Sequence, residues 1–232
     1  MKSSPSKLTV PLGAGAATTA LAYPAGGSPI GCTLILGHGA GAGQQSAFMV
    51  GFAEALAERG VDVVTFNFLY TEQRRHIPDR APALEACYRS VIEAVGSHAP
   101  LFIGGKSMGG RIATQVAAAD PALNVNGLVL LGYPLHPPGR PAEQRDKHLP
   151  AIARPMFFVQ GSRDAFGTPS ELAPVFDRLT PRPAIHIVDG GDHSFKVSRR
   201  DAQQKIYGEI QDAIVVWMKA VTVSVAARKR AP

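Results

Sequence analysis

The run Gly105-Lys106-Ser107-Met108-Gly109 sets a serine between two glycines at the spacing G-x-S-x-G. An apolar run, Leu101-Phe102-Ile103, precedes it, and a stretch of helical spacing follows to about Ala119. A chain that turns from strand to helix in so few residues needs glycines where backbones pass closely. The turn lifts the serine hydroxyl to the helix N-terminus, where partial positive charge favours a developing anion. Such a serine has the setting of a nucleophile in acyl transfer. The plain alternative is a Gly-rich turn with a helix-capping serine.

A serine hydroxyl is a weak nucleophile near neutral pH and needs a base. Of the seven histidines, His193 is the expected one, in the loop Asp189-Gly190-Gly191-Asp192-His193-Ser194-Phe195 after the predicted strand Ala184-Ile185-His186-Ile187-Val188. His136 follows another apolar run and is its rival. His186 lies inside a strand, and His98 and His148 read as surface or packing residues. An imidazole base needs a carboxylate to hold its tautomer and stabilise its protonated form. Asp164, in Gln160-Gly161-Ser162-Arg163-Asp164, is expected to supply it. Asp189 and Asp192 are nearer in sequence but read as turn-shaping residues.

An oxyanion needs two backbone donors. The N–H of Met108 is one. The second is expected from Gly37-His38-Gly39-Ala40-Gly41-Ala42-Gly43, with Ala40 N–H as donor and His38 as a candidate substrate contact. This loop lacks the Gly-Lys-Ser/Thr ending of a nucleotide cradle.

These groups meet only if strands and helices bring them to one place. Thr33 to Leu36, Val61 to Phe66, Leu101 to Ile103, Leu128 to Leu131, Met156 to Val159 and Ala184 to Val188 read as strands. Helices are expected at about 46–59, 83–97, 107–119, 171–179 and 201–220, the fourth capped by Thr168 or Ser170. Leu8-Thr9-Val10 and Leu21-Ala22-Tyr23 read as an opening hairpin. Continuous apolar strands alternating with helices predict an α/β fold with a mostly parallel central sheet and helices on both faces. Ligands then sit outside the carboxyl ends of the strands.

Two further segments fall on that side. Tyr70, Arg74 and Arg75 lie in a polar stretch from Tyr70 to Pro82 and are candidate substrate contacts, an arginine meeting a carboxylate or phosphate. Local ion pairs to Glu72, Asp79 or Glu85 are the simpler role. His136, among prolines, could wall the pocket. The stretch from Tyr133 to Pro155 is too broken for a large helical lid, so the lid is expected to be short or absent. Lys106 and Arg111 flank the elbow and are expected to pair with nearby carboxylates.

The composition sets bounds. All 232 residues are expected to form a single domain, with a peripheral basic tail at about 221–232. Charged residues are 18% and hydrophobic ones 45%, which excludes a highly charged disordered chain. The net charge of +6 is scattered, with no nucleic-acid motif beside it, so no nucleic-acid partner is expected. No apolar run is long enough to span a membrane. Met1-Lys2 and the Ala/Gly-rich stretch after it have some leader character, but Pro11, Gly13 and Gly15 interrupt it. With Cys32 and Cys87 outside any metal-ligand spacing, the expected location is cytoplasmic, with no metal and no cofactor. The expected partner is a small ester-like molecule; the sequence carries no signal of oligomeric state.

Gly37-His38-Gly39-Ala40-Gly41, the segment Gly104 to Arg111 and Gln160 to Asp164 together resemble the α/β-hydrolase superfamily. More narrowly, Phe66 to Tyr70, Arg74-Arg75, Pro78-Asp79-Arg80 and Gly132 to Gly139 are similar to the bacterial dienelactone-hydrolase-like group that shares a domain with the KANL3/Tex30 proteins. The resemblance runs from about Leu8 to Ala220. It implies the α/β-hydrolase fold and a serine hydrolase with the triad order Ser107, Asp164, His193. Dienelactone hydrolases use a cysteine where Ser107 stands, which argues against dienelactone chemistry itself. Some relatives of this domain are assembly components, so the resemblance also implies a non-catalytic scaffold as the alternative.

Overall fold

The computed structural model describes residues 4–96, 99–197 and 203–230, with backbone alone from 225 onward. The strands are β1 (Ser6–Gly13), β2 (Ala16–Tyr23), β3 (Thr33–Gly37), β4 (Asp62–Phe66), β5 (Leu101–Lys106), β6 (Gly127–Leu131), β7 (Met156–Gly161) and β8 (Ala184–Val188). They form one eight-stranded sheet in the order β1-β2-β4-β3-β5-β6-β7-β8. β1 and β2 make the expected hairpin, and β2 runs antiparallel to β4. Every pairing from β4 across to β8 is parallel.

The helices are α1 (Ala47–Glu58), α2 (Leu69–Glu72), α3 (Ala81–Val95), α4 (Met108–Ala119), α5 (Pro169–Phe176) and α6 (Gln203–Arg230). Successive strand side chains point to opposite faces, so each central strand feeds two cores. Ile35, Ile103, Leu128, Leu130 and Phe158 face α3, α4 and α5. Leu34, Leu36, Phe102, Val129 and Val159 face α1 and α6. Burial on both faces explains why these strands read as unbroken apolar runs.

Local rules set the ends. Ser46 caps α1 by accepting the Met49 N–H. Thr168 caps α5 in a capping box with Glu171, and Pro169 takes the first turn. Two expectations need correction. The stretch from Tyr70 is not all loop: α2 forms because the Glu72 carboxylate gathers Thr19 N–H (2.9 Å) and Asn67 Nδ2 (3.1 Å), pinning the turn to β2. The last helix does not stop near Ala220 either, since α6 continues to Arg230. Its apolar stripe, Ile210, Ile214, Met218 and Val221, runs past the expected end, and no Gly or Pro interrupts residues 209–231. The expected start at Asp201, like His98, lies outside the described residues.

Between β6 and β7 the only helical piece is a 3-10 turn at Leu149–Ala151. The carboxyl ends of β3, β5, β7 and β8 lie along one rim, and among the described residues this connection places no longer helix over it.

Candidate active site

Ser107 sits at the carboxyl end of β5 with φ 51° and ψ −114°, a region that costs a non-glycine residue about 1–3 kcal/mol. The surrounding packing holds it there. A Cβ on Gly109 would stand 2.1 Å from the Gly37 carbonyl oxygen, and one on Gly105 would stand 2.2 Å from the same atom. The two glycines of the motif thus let the elbow press against the end of β3. The loop that leaves β3 lies directly over the serine: a Cβ on Gly39 would be 3.6 Å from Ser107 Cβ.

His193 Nε2 is 2.8 Å from Ser107 Oγ. Its Nδ1 is 2.8 Å from Asp164 Oδ2 and 3.0 Å from Oδ1. Asp164 is only 1% exposed, yet its carboxylate is well satisfied. Oδ1 accepts the Phe166 N–H at 2.8 Å, and Oδ2 accepts Gln160 Nε2 at 2.8 Å. With Asp164 an acceptor, Nδ1 carries the proton and Nε2 is free to accept one from the serine. The three residues come from the ends of β5, β7 and β8, in the order expected.

Met108 opens α4, so its N–H has no intrahelical acceptor. Ala40 borders the same cleft as Ser107. The cleft has a volume of about 600 Å³, and Phe48, Met49, Phe166 and Tyr207 give it apolar walls. Charged side chains on its border are Lys106 and, at the rim, Lys196.

The other candidates fall elsewhere. His38 is fully buried; its Nδ1 lies 2.8 Å from the Gly39 carbonyl, and its Nε2 accepts the Phe68 N–H at 3.1 Å. Burial pushes it below the usual histidine range, while the Gly39 bond opposes that. Its ring braces the glycine-rich loop from beneath and does not border the cleft. Tyr70 is 1% exposed and packs by its edge on His38. Arg74 is exposed, and Arg75 reaches Asp79 at 2.6 Å, the simpler of the two roles foreseen for it. His136 is 5% exposed, with Nδ1 2.9 Å from the Pro137 carbonyl and Nε2 3.3 Å from Glu171. None of Tyr70, Arg74, Arg75 or His136 borders the cleft among the described residues.

Asp192 turns out to shape its loop, accepting the N–H groups of Ser194 (2.7 Å) and Lys196 (2.9 Å). His148 packs inside, 2.8 Å from Thr114 Oγ1, and burial pushes its pKa down to about 4. Three contributors were not foreseen. Phe166 stacks on the His193 ring with centroids 4.2 Å apart. Gln160 also donates to the Gly167 carbonyl (2.7 Å), fixing the turn that carries Asp164. Lys106 pairs with no carboxylate among the described residues; it donates to the His193 carbonyl at 2.7 Å. Phe166 and Gln160 lie close to Asp164 in sequence, which is the one signal that pointed to them.

The model of the alpha/beta hydrolase domain matches residues 31–221. The chain belongs to that family. Among solved structures the hydrolase fold recurs throughout. A lidless α/β serine hydrolase from Xanthomonas campestris, XC6422, superposes with a TM-score of 0.73 at 21% identity, covering 94% of this chain and 96% of the other. A dienelactone hydrolase from Anabaena variabilis gives 0.69 at 18% identity, covering 90% and 97%. Est1E from Butyrivibrio proteoclasticus gives 0.71 at 12% identity, covering 93% and 99%. At these identities the likeness is one of fold.

Proposed function

We propose that the chain is a serine hydrolase that cleaves an ester or thioester of a small molecule through an acyl-enzyme. Ser107 Oγ attacks the carbonyl carbon while His193 Nε2 takes its proton. Asp164 stays ionised, holds the imidazole by Nδ1 and balances the charge it acquires. The amides of Ala40 and Met108 receive the oxyanion. Protonated His193 then gives its proton to the leaving alcohol or thiol. In the second half His193 takes a proton from water, the hydroxide attacks the acyl carbon, and the acid departs as Ser107 regains its proton.

The observation that carries this reading is the 2.8 Å contact between His193 Nε2 and Ser107 Oγ, backed by Asp164 on the far nitrogen. A cysteine mechanism has no support: Cys32 and Cys87 are buried, and burial pushes both thiols up to about 12. Two free, buried thiols suit the reduced cytoplasm, which we propose as the location. The basic Arg74-Arg75 and Tyr133 to His136 segments support placing the chain in the KANL3/Tex30-type, dienelactone-hydrolase-like group, without dienelactone as substrate.

The test is Ser107→Ala on a short p-nitrophenyl ester. Turnover should fall by about ten-thousand-fold or more, with circular dichroism and Tm unchanged. Wild type should take up a fluorophosphonate probe at Ser107. A variant with wild-type turnover, or a wild type that resists the probe, would favour a scaffold that uses the fold to bind a partner.

A further inference from the structure

A lysine side chain that is 9% exposed, one residue before the proposed nucleophile, calls for an explanation. Burying an ammonium is costly unless it is paired or hydrogen-bonded. Lys106 forms no salt bridge within 4 Å among the described residues. Its Nζ instead donates to the backbone carbonyl of His193 at 2.7 Å and lies 5.6 Å from the centroid of the Phe195 ring. The space for this bond is made by a third segment. A Cβ on Gly132, just past β6, would stand 3.0 Å from Lys106 Nζ and 2.9 Å from the His193 oxygen, colliding with donor and acceptor at once. Three segments therefore converge on one hydrogen bond: the end of β5, the residue after β6 and the loop after β8.

We propose that Lys106 is a positioning residue, its ammonium pinning the His193 backbone so that the imidazole stays in reach of Ser107. The inference rests on the serine-hydrolase reading. Lys106 is suited to the task because it shares a strand end with Ser107. Any motion of the base-bearing loop away from the serine must stretch the 2.7 Å bond.

The charge itself matters as well as the bond. Asp164, in the turn after β7, and Asp192, in the loop after β8, favour the ammonium, while burial opposes it more strongly and brings the pKa down to about 8. The other titratable groups on this side are His193 itself and, bordering the same cleft, Lys196 and Tyr207 of α6. The sign follows directly. Below about pH 8 the ammonium is present and its charged hydrogen bond is at full strength. Above it the neutral amine donates more weakly, and the base-bearing loop loosens.

The test compares wild type, Lys106→Met, Lys106→Arg and Ser107→Ala on a short p-nitrophenyl ester and a fluorophosphonate probe from pH 6.5 to 9.5. The wild-type rate should fall as pH rises through about 8. Lys106→Met should lower kcat at pH 7 by about ten- to a hundred-fold with KM unchanged, the range set by one charged hydrogen bond. It should show no fall through pH 8. Lys106→Arg keeps its charge throughout, so its rate should stay level through pH 8 whatever its size.

A Lys106→Met variant with wild-type kcat, a level wild-type profile, or an arginine variant with the wild-type alkaline fall would each overturn the assignment. If the methionine variant fails to fold, the wild-type and arginine profiles still decide. The two readings separate on the probe. A wild type that is not labelled overturns the hydrolase reading and this inference with it. Wild type and Lys106→Met labelled at equal rates overturns Lys106 alone.

Discussion

The serine and the histidine of this site differ in how much side chains share in holding them. Ser107 stands on an elbow whose shape is enforced by backbone meeting backbone: Gly105 and Gly109 both press on the Gly37 carbonyl with no room for a Cβ. His193 stands on a loop that meets backbone only before it, where a Cβ on Gly161 would stand 2.4 Å from the Asp192 carbonyl oxygen, and that is anchored after it by the fully buried Phe195 at φ 62°. Between these points side chains add to the backbone bonds: Asp192 to the N–H groups of Ser194 and Lys196, Lys106 to the His193 carbonyl, and Asp164 to the ring. A wedge of backbone has one position. A loop tied by hydrogen bonds has a best position and others close in energy. The difference teaches where this candidate site is stiff by steric necessity and where its geometry depends on polar contacts that pH and substitution can alter.

The sharpest way to break the comparison is at the wedge. Gly109→Ala adds a methyl group at 2.1 Å from the Gly37 oxygen, between two parts of the main chain that have no side-chain rotamer to give way. Alanine in place of glycine within α4 favours the helix by about 1 kcal/mol. Overpacking costs about 1–3 kcal/mol, and a backbone collision belongs at the upper end. The collision therefore wins, and Gly109→Ala should lower stability by about 2 kcal/mol, measured as a fall in Tm and in the urea midpoint, with activity lost alongside. A variant as stable and active as wild type would mean that the elbow yields, and that both sides of the site are soft.

The corresponding change in the loop should leave stability alone and affect rate. Asp192 is exposed, so water replaces much of what its carboxylate gives to the Ser194 and Lys196 N–H groups. Asp192→Ala should reduce kcat by about ten-fold through a less ordered His193, the range of one weakened charged hydrogen bond. Its Tm should stay within about 2 °C of wild type, since exposed changes are worth about 0.5 kcal/mol. Asn keeps an accepting oxygen, so Asp192→Asn should restore most of the rate. An alanine variant with full kcat would assign the loop's order to its other contacts and not to Asp192.

This contrast also explains what could be read from the sequence. Constraints of backbone shape leave a local mark. The glycines around Ser107, the unbroken apolar strands and a helix cap at Thr168 or Ser170 were all visible because each answers a demand made within a few residues. The carboxyl-edge rule then brought Asp164 and His193 to Ser107 without any contact being known. Long-range side-chain ties leave no such mark. The Lys106 bond to His193 spans 87 residues, and nothing around Lys106 distinguishes it from a surface lysine. The same holds for His38 and Tyr70. They lie on the right segments, but the direction of a side chain, toward the cleft or beneath the loop, follows from packing on Phe68 that only the assembled fold defines. The extended α6 was legible in principle, since no Gly or Pro lies between Ala220 and Ala231, but a basic run was read as a tail.

The mildest expectation concerns the basic turn after α2, which lies at the same sheet edge yet outside the cleft. Arg75 Nη2 meets Asp79 at 2.6 Å, and its Nε meets Gln73 at 2.9 Å. Both are local, and the arginine is exposed. An exposed i, i+4 pair contributes about 0.3–0.5 kcal/mol, and salt weakens it further. Arg74 has a positive φ of 56° at the surface and makes no bond that holds the site. The double change Arg74→Ala, Arg75→Ala should therefore leave kcat on a neutral short ester within about two-fold of wild type and Tm within about 2 °C. The informative arm is a substrate bearing a carboxylate distant from the scissile bond. A local ion pair predicts the same KM for wild type and the double variant on this ester at low salt. If KM instead rises ten-fold for the charged ester alone, the turn must swing over the cleft when substrate binds, and the site would then have a third holding element softer than either of the two compared here.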